Sequence, residues 1–290
     1  MRLDDIDTSD VEVDDQRGQG GGGGFPMGGG GGLPLGRSMG CGTILLLIAV
    51  AYFSGGNLGS LMDTGGGGAP TQATPQAQMA AGQGCDANAL SKQSCQVLAL
   101  GNTTWGQMFG SDYRKPHIAF YTGGGQSGCG AAQSAMGPFY CPADEGIYID
   151  TDFYRELQQR FGAKGDFAQD YVIAHELGHH IQKLTGVAAK VQQRQENSSR
   201  AQGNRYQVAM ELQADCYAGV WAAKNAERMD PGDIEEGMTA AHAIGDDVLQ
   251  RQAQGVVVPE SFTHGSAQQR MTWLKRGLDS GDPKQCDTFN

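Results

Sequence analysis

Apolar positions recur at strand and helix spacings from about residue 91 to the C terminus, and before that they scatter between glycines and acids. His117–Thr122 (HIAFYT) and Gly146–Asp150 (GIYID) are short β-branched and aromatic runs that predict two strands. A Gly/Ser loop, Gly123–Gly130, follows the first of them. Ser91–Phe109 predicts a helix whose middle is weakened by Gly101. Thr151–Phe161 carries Phe153, Leu157 and Phe161 on one helical face. Asp166 is an N-cap for a helix running to Leu184. A long helix over Asn204–Met229 is ended by Pro231 and Gly232. Helices over Asp233–Gln250 and Ser266–Leu278 complete a helix-rich α+β pattern with a small sheet and no internal repeat.

Composition divides the chain. Of its 46 glycines, 23 fall in the first 84 residues. Gly18–Gly32 is almost pure glycine, and Thr64–Gly84 is Gly, Ala, Gln, Pro and Thr. Such stretches bury too little apolar surface to offset their ordering entropy. The expected organisation is a disordered acidic and Gly-rich tail (1–37), a transmembrane anchor (38–62), a flexible linker (63–84) and one globular domain (85–290). The anchor rests on Ile44–Phe53 (ILLLIAVAYF) inside a charge-free stretch, short of the roughly 20 apolar residues of an ideal span. Arg37 before it and Asp63 after it favour a single pass with the tail inside and the C-terminal domain extracytoplasmic. The formal charge of −11 comes with no Lys/Arg cluster, which argues against nucleic acid as a partner.

Six of the seven cysteines lie beyond the apolar run, as an oxidising compartment would favour. Local spacing pairs Cys85 with Cys95 and Cys129 with Cys141, leaving Cys216 with Cys286. Buried free thiols are the alternative. No pair has the CxxC spacing of a redox motif or cysteine zinc site.

The chemistry concentrates in Tyr171–His180, YVIAHELGHH, which contains the H-E-x-x-H pattern His175-Glu176-Leu177-Gly178-His179. Histidines four apart share one helix face and can reach one zinc ion, with Glu176 beside them as general base for a water. The apolar neighbours Val172, Ile173, Ala174 and Leu177 imply a buried helix, where unpartnered imidazoles and carboxylates are costly. Gly178 would let another segment approach closely. His180 points about 100° away from His179 and is not a ligand candidate. A catalytic zinc needs a third protein ligand. Glu211 in the next long helix supplies it, and Asp215, one turn on, can accept the free ring N–H of a ligand histidine. A solvated acidic helix face is the competing reading of these two acids.

HELGHH, followed about 30 residues later by ELQADCYAG, resembles the putative neutral zinc metallopeptidase family of bacteria and, more distantly, the gluzincins. GPFYCPADEGIYID (Gly137–Asp150), GDFAQDYVIAHELGHHIQ (Gly165–Gln182) and FTHGSAQQRMTWLKRG (Phe262–Gly277) extend the resemblance over Trp105–Asn290. It implies a membrane-anchored, zincin-like peptidase acting on protein or peptide, with zinc as cofactor. It further implies that His264 stabilises an oxyanion, with a tyrosine such as Tyr217; decoration of a helix N-terminus is the plain alternative for His264. Arg270 is a candidate to order this segment through a carboxylate. In a zincin an edge strand aligns the substrate, here Ile118–Thr122 or Ile147–Asp150, and Gly123–Gly130 would form a mobile rim. His117 and His242 read as structural. Two rivals stand beside the peptidase: a zinc-containing envelope scaffold without catalysis, and a hydrolase of non-peptide bonds.

Overall fold

A computed structural model of the chain describes residues 1–18 and 84–289. Its strands are β1 (Val13–Asp15), β2 (His117–Tyr121), β3 (Gly124–Ser127), β4 (Gly130–Gln133), β5 (Phe139–Cys141) and β6 (Gly146–Asp150). The helices are α1 (Ala89–Phe109), α2 (Asp152–Phe161), α3 (Phe167–Leu184), α4 (Val187–Glu196), α5 (Arg200–Lys224), α6 (Asp233–Ala243), α7 (Asp246–Gln254) and α8 (Ala267–Ser280).

One sheet has the order β1-β2-β6-β5, with β1, β2 and β6 parallel and β5 antiparallel to β6. Val13, Ile118 and Ile147 stand in register, and with Phe120, Ile149 and Tyr140 they join the core beneath α3. The opposite face carries Ala119, Tyr121, Tyr148 and Cys141, which pack with Ala132 of β4. Both faces are covered, so Ile118–Tyr121 of β2 and Ile147–Ile149 of β6 read as unbroken apolar runs rather than alternating ones. This order corrects the expected edge strands. β2 and β6 are central, and the edges are β1 and β5.

Residues 1–18 do not behave as a disordered tail. Met1, Leu3, Val11 and Val13 are buried in the main core, and β1 pairs along β2. The expected glycine loop is largely the hairpin β3–β4, bound to β5 through Cys129–Cys141. The helix expected over Asp233–Gln250 breaks at Gly245, whose backbone lies so close to Ala267 that a Cβ would meet the Ala267 nitrogen at 2.3 Å. The fourth helix, α4, falls in a polar stretch that carries no clear period. All three cysteine pairs form as spacing suggested, with Cα–Cα distances of 5.8, 5.8 and 5.6 Å. Among the described residues no helix is long and apolar enough to cross a membrane, and the anchor expected at 38–62 lies outside them.

Two helix contacts place the site. α3 lies against α5 at Gly178, where a Cβ would stand 3.0 Å from the Ala214 Cα and carbonyl oxygen, the close approach its lack of a side chain permits. α5 lies against α8 at Gly219 and Gly277, where added Cβ atoms would meet backbone oxygens at 2.1 and 2.0 Å.

Candidate metal centre

The N-cap Asp166 accepts from the Phe167 N–H and starts α3, which is buried along most of its length. His175 and His179, one turn apart, both face α5, and their rings meet edge to face at 4.9 Å. Glu211 of α5 faces them. Its Oε2 lies 3.2 Å from His175 Nε2 and 3.4 Å from His179 Nε2. A tetrahedral ion with bonds of about 2.0–2.1 Å separates its ligands by about 3.3 Å, so these donors already sit at the edges of such a site. Two imidazoles and one carboxylate form a donor set suited to zinc. His175, His179 and Glu211 therefore form a group that could hold a metal ion.

Neighbouring hydrogen bonds turn both rings the right way. His175 Nδ1 lies 2.7 Å from Asp215 Oδ1, which leaves its Nε2 lone pair toward Glu211. Asp215 is fully buried, accepts from Tyr171 Oη at 2.6 Å, and takes Arg270 Nε and Nη2 on its two oxygens at 2.9 Å each. Burial pushes Asp215 up, but Arg270 and His175 outweigh it and hold the carboxyl below its ordinary range. His179 Nδ1 donates to Gln182 Oε1 at 2.9 Å. The Gln182 amide is oriented by its Nε2, which donates to the Met210 carbonyl (2.7 Å) and to Gln213 Oε1 (3.1 Å). Gln213 in turn donates to the Cys286 carbonyl at 2.9 Å. Gln207, one turn before Glu211, donates to its Oε1 at 2.9 Å.

Without an ion the charges of this cluster are tied to one another. Burial lowers His175, yet Asp215 and Glu211 outweigh it and raise it to about 9. Burial would raise Glu211, but His179, His264 and His175 hold it well below the usual carboxylate range. Glu176 sits beside the two histidines and is itself buried; burial, only partly opposed by the histidines, pushes its carboxyl up. A raised carboxyl is suited to moving protons near neutral pH.

His264 precedes α8 on a loop folded around one carboxylate. Asp246 Oδ2 accepts from the backbone N–H groups of Thr263, His264 and Gly265 at 2.7, 2.7 and 3.0 Å, while His264 Nδ1 stands 3.4 Å from Asp246 Oδ1. Burial lowers His264, but Glu211 and Asp246 raise it overall, which puts the ring within electrostatic reach of the Glu211 carboxylate. Tyr217 is elsewhere: it packs edge-on against Trp105 in the core at 5.5 Å. His180 binds Tyr140 Oη and the Arg114 carbonyl at 2.9 and 2.6 Å, fastening β5 and the approach to β2 onto α3. His242 is exposed on α6, and His117 stacks edge-on with Tyr148 on the far side of the sheet. A separate cleft of about 780 Å³, lined by His117, Tyr148, Asp144 and Lys183 among others, opens there and contains none of the metal-group residues.

Sequence reasoning missed Gln182, Gln213, Gln207, Tyr171 and Asp246. Amides on helices look like ordinary surface residues, and the signal available was their placement one turn from a ligand candidate, as with Gln207 and Glu211.

The chain is similar to known proteins over most of its length. An Escherichia coli (strain K12) protein named "Uncharacterized protein YpfJ" is 48% identical over 282 residues, covering 96% of this chain and 95% of that one. A Mycobacterium tuberculosis (strain H37Rv) protein named "Uncharacterized protein Rv2575" is 44% identical over 223 residues, covering 71% and 73%. No solved structure matches significantly. A family model described as "Putative neutral zinc metallopeptidase" matches residues 1–289, so the likeness begins well before Trp105 and takes in β1. With the donor group on α3 and α5 inside that match, the chain belongs to the putative neutral zinc metallopeptidase family.

Proposed function

We propose that this protein is a zinc-dependent peptidase in which Glu176 is the general base. The observation that carries this is the convergence of His175 Nε2, His179 Nε2 and Glu211 Oε2 beside a buried Glu176 whose carboxyl is pushed up. Bound zinc supplies Lewis acidity and makes a water nucleophilic near neutral pH. Glu176 takes the proton from the attacking water and returns it to the departing amine. His264, braced by Asp246, donates to the oxyanion of the tetrahedral intermediate, a contribution of roughly 3 kcal/mol per donor in comparable sites. The edge strand β5, fastened to α3 by the Tyr140–His180 hydrogen bond, supports this reading, since an extended substrate could align along it. The three disulfides support an extracytoplasmic compartment for the domain.

Metal content and casein cleavage test the reading, measured on the full chain because residues 1–18 belong to the fold. Wild type is expected to hold zinc and to show chelator-sensitive cleavage. Glu176→Gln is expected to keep the zinc and lose activity by roughly 10²–10⁴-fold. Zinc held without cleavage would favour a scaffold or a hydrolase of other bonds; a folded wild type that binds no metal would overturn the proposal.

A further inference from the structure

Residues 1–18 and 84–289 are joined through the stretch that contains the apolar run Ile44–Phe53, yet they fold together. The contacts are direct. The Ile118 N–H donates to the Glu12 carbonyl at 2.9 Å and the Gln16 N–H to the Phe120 carbonyl at 2.8 Å, at either end of the β1–β2 pairing. Gln96 of α1 donates to the Leu3 carbonyl at 2.8 Å. Arg228 reaches Asp5 at 2.6 Å, and Arg2 reaches Asp230 at 3.1 Å. Met1, Leu3, Val11 and Val13 share one core with α1 and α3.

Paired strands lie about 4.8 Å apart, whereas the hydrocarbon core of a bilayer is about 30 Å thick. A single crossing between residues 18 and 84 would leave β1 on one side and β2 on the other, and no length of connection restores their hydrogen bonds. We infer that residues 1–18 and 84–289 lie on the same side of any membrane the protein meets, so the chain between them does not pass through it once. The ten-residue apolar run, against the roughly 20 residues of a span, points the same way. Arg37 and Asp63, which flank the apolar run, bear on the direction of a crossing and not on whether there is one. The open edge of β2 is thus covered by this chain's own first residues, in the compartment where the proposed peptidase works.

Paired cysteine labelling decides it. In a Cys41→Ser background of the full chain, the three disulfides leave no other cysteine free. Ser9→Cys and Thr272→Cys each place one thiol at an exposed position, one in the N-terminal segment and one on α8. Spheroplasts producing either variant are treated with a membrane-impermeant maleimide before and after permeabilisation. Both sites labelled in intact spheroplasts, or both only after permeabilisation, is the expected result. Labelling at one site with protection at the other would overturn the inference.

Discussion

At His175 three demands meet: a lone pair for a metal, an N–H for Asp215, and a place in a helix with no solvent to soften an error. Arg270 makes the arrangement tolerable. Its guanidinium spans both Asp215 oxygens, and without it the buried carboxylate would keep Tyr171 and His175 but lose its guanidinium counter-charge and the Arg270 hydrogen bond on Oδ2. Arg270→Leu is expected to cost about 3–5 kcal/mol of stability and to weaken zinc binding by roughly 10–100-fold, read by thermal unfolding and by chelator competition. Arg270→Lys, which can serve one oxygen but not both, should recover part of each loss. His175 itself sets a pH dependence. In the metal-free protein His175 is raised to about 9, so zinc must displace its proton at neutral pH. Zinc affinity should therefore fall as pH falls below about 9, by roughly tenfold per pH unit for each proton released. The sign for metal-free stability is opposite: the contribution of protonated His175 is complete below its unfolded value near 6.5 and is lost as pH rises through about 9. Zinc titrations at pH 6.5, 7.5 and 8.5, with unfolding followed in parallel, separate the two trends.

The helices carry these residues only because they approach so closely. α8 brings Arg270 to Asp215, and the disulfide Cys216–Cys286 fixes the carbonyl that orients Gln213, Gln182 and finally His179. Gly219 and Gly277 set the α5–α8 distance, since a Cβ on either would run into the facing backbone. Gly277→Ala is thus expected to destabilise by about 1–3 kcal/mol or more and to weaken zinc binding at a site it does not touch. A control substitution on the same helix, Lys275→Ala at an exposed position, should do neither. The metal helix was legible because histidine spacing and helical period coincide over an apolar stretch, and Glu211 and Asp215 were legible because two acids one turn apart stood among apolar neighbours. The α5–α8 glycines were not. A glycine in a helix lowers the local propensity without saying what will lie against it. Strand order was equally hidden: Ile118–Tyr121 of β2 and Ile147–Ile149 of β6 are continuous apolar runs, and such a pattern shows that a strand is covered on two faces, not which neighbours it has.

Both ends of the chain close on the helices of the site. Thr288 donates to the Ala209 carbonyl of α5, and Met1 and Leu3 are buried in the core that holds α1 and α3. The N-terminal part of this closure escaped the sequence because Asp4, Asp5, Asp7, Asp10, Glu12, Asp14 and Asp15 give that stretch the composition of a disordered segment. The few apolar residues among them are the ones that become buried, and some of the acids find cations on the domain, as Asp5 does at Arg228 and Asp10 at Lys115. A shortened chain beginning at residue 84 would lose β1 and present the backbone of β2 as an open edge, a template for aggregation. A single side chain tests the same point with less disturbance. Leu3 is buried against the core, so Leu3→Ala should cost about 2–5 kcal/mol, a fall in Tm on the order of 10 °C for a domain of this size. An undocked segment would show no change, because a leucine already in water loses nothing on truncation. Measured beside Gly277→Ala, the substitution also separates two routes to failure: Leu3→Ala should lower Tm while leaving zinc affinity near wild type, since the hydrogen bonds that orient His175 and His179 come from α3, α5, α8 and Cys286 and none from residues 1–18.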